Sequence, residues 1–157
     1  VHVTSARPPS LSFDDFYRER WMPTVRLAHV LTGSAPLAED LAQEAFAAVA
    51  DRFAGLDHPA AYLRTTVLNL ARSHHRRRAR HDRLLHLVDR PADVQLGAPE
   101  LLDAVDALPH REKAVLVLRY YEDLPEAEIA AVLGMRPATV RTVAARALRR
   151  LRREIHR

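Results

Sequence analysis

The sequence predicts an all-α protein made of two small helical domains joined by a linker. Three observations carry that reading. Strictly alternating β-branched runs are missing, apolar residues recur at helical spacing, and the four glycines, Gly33, Gly55, Gly97 and Gly134, fall between the periodic segments. Several prolines stand where helices would begin, at Pro36, Pro59, Pro109, Pro125 and Pro137. There a missing backbone N–H leaves no hydrogen bond unmade.

A first helix is expected from about Ser12 to Thr32, with Asp14 and Asp15 as N-terminal acids and a kink near Pro23. A second spans roughly Pro36 to Phe53 and a third Pro59 to Arg80. The stretch "HDRLLHLVDRPADVQLGAPE" then loses periodicity and holds Pro91, Gly97 and Pro99. Helices resume near Leu101–Ala107, His110–Tyr121, Glu126–Leu133 and Pro137–Ile155. The expected division is residues 1–80, a linker over 81–99, and a second domain over 100–157. The second is close to the size at which a lone hydrophobic core is marginal.

Charge is distributed in blocks. Residues 59–80 carry six arginines and no acid, and residues 136–157 carry eight arginines and one acid. Residues 1–58 and 81–135 are net acidic, so the overall charge of +4 conceals two separate cationic segments. One such block is commonly a solvated face. Two, each on a predicted helix, point to a polyanion touched at two places. The absence of cysteine excludes disulfides and thiolate chemistry. No apolar run reaches the length of a membrane span, so no membrane insertion is expected, and the expected location is cytoplasmic.

In the last helix Val140, Ala144, Ala147, Leu148, Leu151 and Ile155 form one apolar stripe. The far side presents Thr142, Arg146, Arg149 and Arg153, with Arg136, Thr139 and Arg141 near the N-terminal end. Before it, "LPEAEIAAVLG" makes a short helix whose apolar face is Ile129, Ala130 and Leu133, closed by Gly134. Short helix, tight turn and longer helix make a helix-turn-helix, whose second helix enters the major groove. Its N-terminal residues meet base edges and its later arginines meet phosphates.

In the second helix Leu41, Ala42, Ala45, Phe46, Val49 and Phe53 share one side, and Asp40, Gln43, Glu44, Ala47 and Asp51 the other. Read alone, the polar side is either a solubilising face or a docking face for a basic helix. The third helix has Leu63, Val67, Leu70 and Ala71 inward, with Arg64, Arg72, Arg76, Arg77, Arg78 and Arg80 at polar positions and the C-terminal end. Tyr62 at its start is either core or a stacking platform beside cations for an unpaired base. His74 and His75 are adjacent and diverge, with no partner at i+4. No metal site, cofactor or catalytic constellation is therefore expected, and the chain reads as a non-enzyme.

Together, "AEDLAQEAF", "YLRTTVLNLARSHHRRR" and "LPHREKAVLVLRYYEDLPEAEIAAVLGMRPATVRTVAARALRRLR" resemble an extracytoplasmic-function (ECF) RNA polymerase sigma factor of the sigma-70 family, of the compact two-domain type common in actinobacteria. The resemblance runs from Phe13 to about Arg153. It implies that Asp40, Leu41, Gln43 and Glu44 lie in the segment that docks on the clamp coiled coil of the polymerase β′ subunit. It assigns the −10 element to the loop from Ala54 to Pro59 and the helix bearing Tyr62, Arg64, Asn69, Arg72, Arg76, Arg77 and Arg78. It assigns the −35 element to the helix with Arg136, Thr139, Arg141, Thr142, Arg146, Arg149 and Arg153, in a unit that rests on the polymerase β flap. An anti-sigma factor is a further partner the family admits. Three positions depart from the family pattern. Tyr62 replaces a common tryptophan, Arg136-Pro137 replaces a serine cap, and Val143 replaces a basic or polar residue. The reading from another class is a dimeric helix-turn-helix regulator acting without polymerase.

Overall fold

The computed structural model describes residues 11–82 and 99–156, so most of the expected linker lies outside the described residues. The elements are α1 (Phe13–Thr32), α2 (Ala35–Ala50), a 3-10 turn (Phe53–Gly55), α3 (Pro59–Asp82), α4 (Pro99–Asp106), α5 (His110–Leu116) continued by a π-helical turn (Val117–Tyr121), α6 (Glu126–Leu133) and α7 (Pro137–Ile155).

Local chemistry explains the boundaries. The Ser12 hydroxyl accepts from the Asp15 N–H and starts α1. Ser34 does the same for Leu37 at the start of α2, with Pro36 in its first turn. The α1 helix runs through Pro23 as one element, its far half anchored by buried Leu27, Ala28 and Leu31. Gly33 and Gly134 end α1 and α6 with positive φ of 70° and 63°. Their surroundings differ. A Cβ on Gly33 would stand 3.0 Å from Asp106 Oδ2, whereas one on Gly134 meets nothing within 4 Å. Gly134→Ala is therefore expected to cost only the left-handed strain, about 1 kcal/mol. Gly33→Ala carries that strain and a displaced Asp106, so it must cost more. Chemical denaturation of the two variants checks the order, and equal losses would contradict it.

α1, α2 and α3 pack on one another, and α4, α5 and α6 pack around α7 or its neighbours. Ala28, Ala38, Ala42 and Ala45 have no exposed surface, and these small side chains let the first three helices approach closely. Val115, Leu118, Ile129 and Val140 are the buried centre of the second group. The two groups also touch. Their apolar interiors join in one cluster that includes Leu63 and Val67 of α3 with Leu118 and Ile129.

One expectation about side chains requires correction, and two further residues join the buried stripes. Ile155 is 47% exposed, because the groove that covers α7 ends near Leu151. Leu68 is buried and joins the inner stripe of α3, with Leu70 half-buried against the same core. Val143, assigned to neither face above, is buried beside Val140 and Ala144.

Candidate nucleic-acid interface

The helix-turn-helix is formed by α6 and α7. The Gly134 and Met135 N–H groups both turn back toward the Ala130 carbonyl, closing α6. Pro137 opens α7, and Arg136 caps it in extended backbone without a side-chain cap bond. Arg136, Arg141, Thr142, Arg146, Arg149 and Arg153 are exposed, while Thr139 is half-buried. The Thr142 hydroxyl donates to the Ala138 carbonyl at 3.1 Å. That bond satisfies the hydroxyl within its own helix.

Two arginines of α7 are held by acids from the body of the unit. Arg150 Nε lies 3.2 Å from Glu112 Oε2, a carboxylate only 6% exposed, and this pair ties α7 to α5. Arg141 Nε donates to Glu126 Oε2 at 3.0 Å across the turn. Neither acid was marked by the residue pattern, since each pairs with a residue more than a dozen positions away.

On α3, Asn69, Arg72, Arg76, Arg77 and Arg78 are exposed and form a cationic strip. Tyr62 is half-buried against the apolar core. Arg64 is turned toward the second unit, where its Nε donates to Glu122 Oε2 at 2.9 Å with both side chains 20% exposed. Nearby, His75 of α3 stacks on His110 at the start of α5, with ring centroids 4.9 Å apart and planes at 16°. Burial, then the His75, Lys113 and Arg72 charges, lower the His110 pKa to about 4. Burial and the Arg78, Arg77 and His75 charges lower that of His74. Burial also lowers His29, against the opposing pull of Asp106. Burial raises the Tyr121 hydroxyl, which faces Arg26 of α1 and Glu122. Asp106 in turn accepts from the buried Lys113 ammonium at 3.0 Å.

On α2, Asp40, Gln43, Glu44 and Ala47 are exposed on one face. Leu41 is not part of that surface. It is 6% exposed because its side of the helix packs into the core, so it supports the face from beneath. Beside α2, Tyr17 stacks on Trp21 at 5.3 Å and lies 4.7 Å from Phe46. Residue pattern alone gives these α1 aromatics no role, although Phe13, Tyr17 and Trp21 stand at i, i+4, i+8.

A helix-turn-helix and a second cationic helix on a neighbouring unit define a DNA-binding transcription protein. Residues 17–81 match the family model for sigma-70 region 2, and residues 99–151 match that for sigma-70 region 4. The chain belongs to the sigma-70 family of RNA polymerase sigma factors, in the ECF group. It is 31% identical to the RNA polymerase sigma-E factor of Streptomyces antibioticus, over 92% of this chain and 85% of that protein. It is 35% identical to the ECF RNA polymerase sigma factor SigE of Mycolicibacterium smegmatis, over 90% of this chain and 60% of that one. Among solved structures, the sigma factor RpoE of Bartonella quintana, in complex with the anti-sigma factor NepR, superposes with a TM-score of 0.74. That match has 21% identity and covers 91% of this chain and 98% of that chain. At that identity the likeness is one of fold. As a sigma factor the protein binds core RNA polymerase and directs promoter recognition, DNA opening and transcription initiation. The matches to both sigma regions set aside the dimeric regulator. Among the described residues no helix is long and apolar enough to cross a membrane.

Proposed function

We propose a division of labour among three surfaces. The exposed Asp40, Gln43 and Glu44 of α2 dock on the β′ clamp coiled coil. The strip Asn69, Arg72 and Arg76–Arg78, with Tyr62 and Arg64 at its start, opens and holds the −10 element. The α7 face reads the −35 element while its unit rests on the β flap. Residues 1–80 and 100–157 act as the two functional domains. The protein works in the cytoplasm, without catalysis of its own. It is subject to an anti-sigma factor, as the complex formed by the Bartonella quintana sigma factor illustrates.

The observation that carries this reading is the placement of two exposed cationic helices on separate units, with an acidic helix face on the first. Two modest sites held by one machine make the second contact intramolecular and raise its effective concentration. In the free chain Arg64 is engaged by Glu122, so its use on DNA requires the units to part. Core polymerase, by setting their spacing, supplies that separation. Transcription in vitro with sigma-free core polymerase, with start-site mapping, tests the whole reading. Discrete start points that vanish in D40A/E44A, while that variant stays folded, are expected. Full activity of D40A/E44A would remove α2 from the assignment.

Within α7 the roles divide further. Neutralising Arg149 and Arg153 is expected to weaken holoenzyme binding on every promoter and to reduce the salt slope by about 0.9 per lost phosphate contact. Changing Arg141 or Thr142 should shift base preference instead. Binding titrations over a salt series separate the two, and uniform loss from all four changes would refute the division.

A further inference from the structure

We propose that Glu126 is a specificity-determining positioning residue, which aims the guanidinium of Arg141 at the base it reads. The proposal rests on the assignment of Arg141 to the −35 element.

Glu126 is the first residue of α6, and Arg141 lies in the second turn of α7, so their bond spans the helix-turn-helix. Glu126 Oε2 accepts from Arg141 Nε at 3.0 Å, and Glu126 Oε1 lies 3.5 Å from Arg119 Nη1. Each carboxylate oxygen therefore faces its own donor, which opposes rotation of the group. Arg119 is itself only 34% exposed, and its guanidinium carbon lies 5.8 Å from the centroid of the Tyr120 ring. The chain of contacts runs from the π-helical turn through Glu126 to the reading helix.

The consequence follows from arginine's donor geometry. A guanidinium offers five N–H groups in a rigid plane. Guanine takes two of them on O6 and N7. With the Nε–H committed to Glu126, the paired fork left free is the outward end formed by Nη1 and Nη2. The carboxylate thus selects one of the ways in which arginine can approach a base. Arg141 keeps 68% of its side chain exposed, so the aimed end remains open to a ligand.

Magnitude and sign separate this role from a structural one. An exposed pair of this kind contributes about 0–1 kcal/mol to stability, so the fold does not depend on it. Glu126 is also an anion beside the surface that meets phosphates, and it lowers affinity for all DNA. Removing it should therefore raise general DNA binding while reducing discrimination at one base pair. A residue that merely supported the fold would lower both.

The test uses holoenzyme assembled from core polymerase and the full chain as wild type, E126A, E126Q, R141A and E126A/R141A. Each is bound to a promoter library randomised over the −35 element, and the retained DNA is sequenced. R141A is expected to lose about tenfold discrimination at its base pair. E126A should lose about threefold at that same pair only, with equal or higher binding to non-promoter DNA. E126Q, which keeps an acceptor oxygen but no charge, should fall between wild type and E126A. In the R141A background E126A should change no base preference. If R141A alters preference and neither Glu126 variant does, the positioning role is overturned and the assignment of Arg141 stands. If R141A alters no preference, the assignment itself fails, and the proposal falls with it. Should E126A prove unfolded by circular dichroism, the near-isosteric E126Q decides by the same criterion.

Discussion

Phe16→Ala is expected to destabilise the protein by about 3–5 kcal/mol, the range for emptying a buried phenylalanine site. Phe16 is 2% exposed, and its ring lies 6.0 Å from Phe46 and 5.3 Å from Phe53. It therefore supports α2 beneath the acidic face and the 3-10 turn that leads to α3. The ring packs against both Phe46 and Phe53, so collapse around the cavity is limited. Promoter opening should fail with folding, because both surfaces of the first unit lose their common support. Trp21 provides the readout. It is the single tryptophan and sits 5.9 Å from Phe46, so its emission reports this core during urea unfolding. Met22→Ala is the control, since Met22 is 51% exposed and should change stability by no more than about 0.5 kcal/mol. A loss below about 1 kcal/mol for Phe16→Ala would mean that the ring is not the keystone described.

Acidification is expected to loosen the contact between the two units. The His110 pKa is lowered from 6.5 to about 4 in the packed state, first by burial and then by His75, Lys113 and Arg72. A depressed histidine is held neutral, so its contribution to the closed arrangement is complete above about pH 6.5. It declines as pH falls, because the open form takes up the proton more readily, and it is spent near pH 4. His29 and His74 are lowered as well and act in the same direction. Protonating His110 also sets a charge against the stacked His75 ring and the neighbouring lysine and arginine. The natural chain has no cysteine, so single cysteines at exposed Ala47 and Ala145 can carry a dye pair. Energy transfer should fall between pH 6.5 and 4, and His110→Gln should flatten much of that change. Glu122→Gln, which weakens the tie to Arg64, should lower transfer already at pH 7.5. A pH-independent distance in the wild-type chain would refute this account.

Most helix boundaries were legible because their causes are local. Ser12, Gly33, Pro36, Pro59, Gly134 and Pro137 act within a turn of where they stand. The interruption after Leu116 was not legible. The chain there adds a residue to the turn, with the Glu122 N–H bonded to the Val117 carbonyl, and no residue of "VLRYY" announces it. Leu41 and Val143 show the same limit at single positions. Spacing set Leu41 on the apolar side of α2 and only the resemblance set it among the docking residues, while Val143 was left outside the stripe; packing buried both.

The amino-acid order alone determined that this chain is helical, that two cationic blocks fall on helices, and which motifs resemble those of a sigma factor. The first two are properties of spacing and composition, which a 3.6-residue period displays without reference to anything distant, and the third is a resemblance. Only the folded arrangement decided what faces those cations. Arg64 meets Glu122 across 58 positions and Arg141 meets Glu126 across 15. Helical periodicity says which side of a helix is polar. The partner on that side depends on how separate helices cross, and that is settled by the packing of the core beneath them.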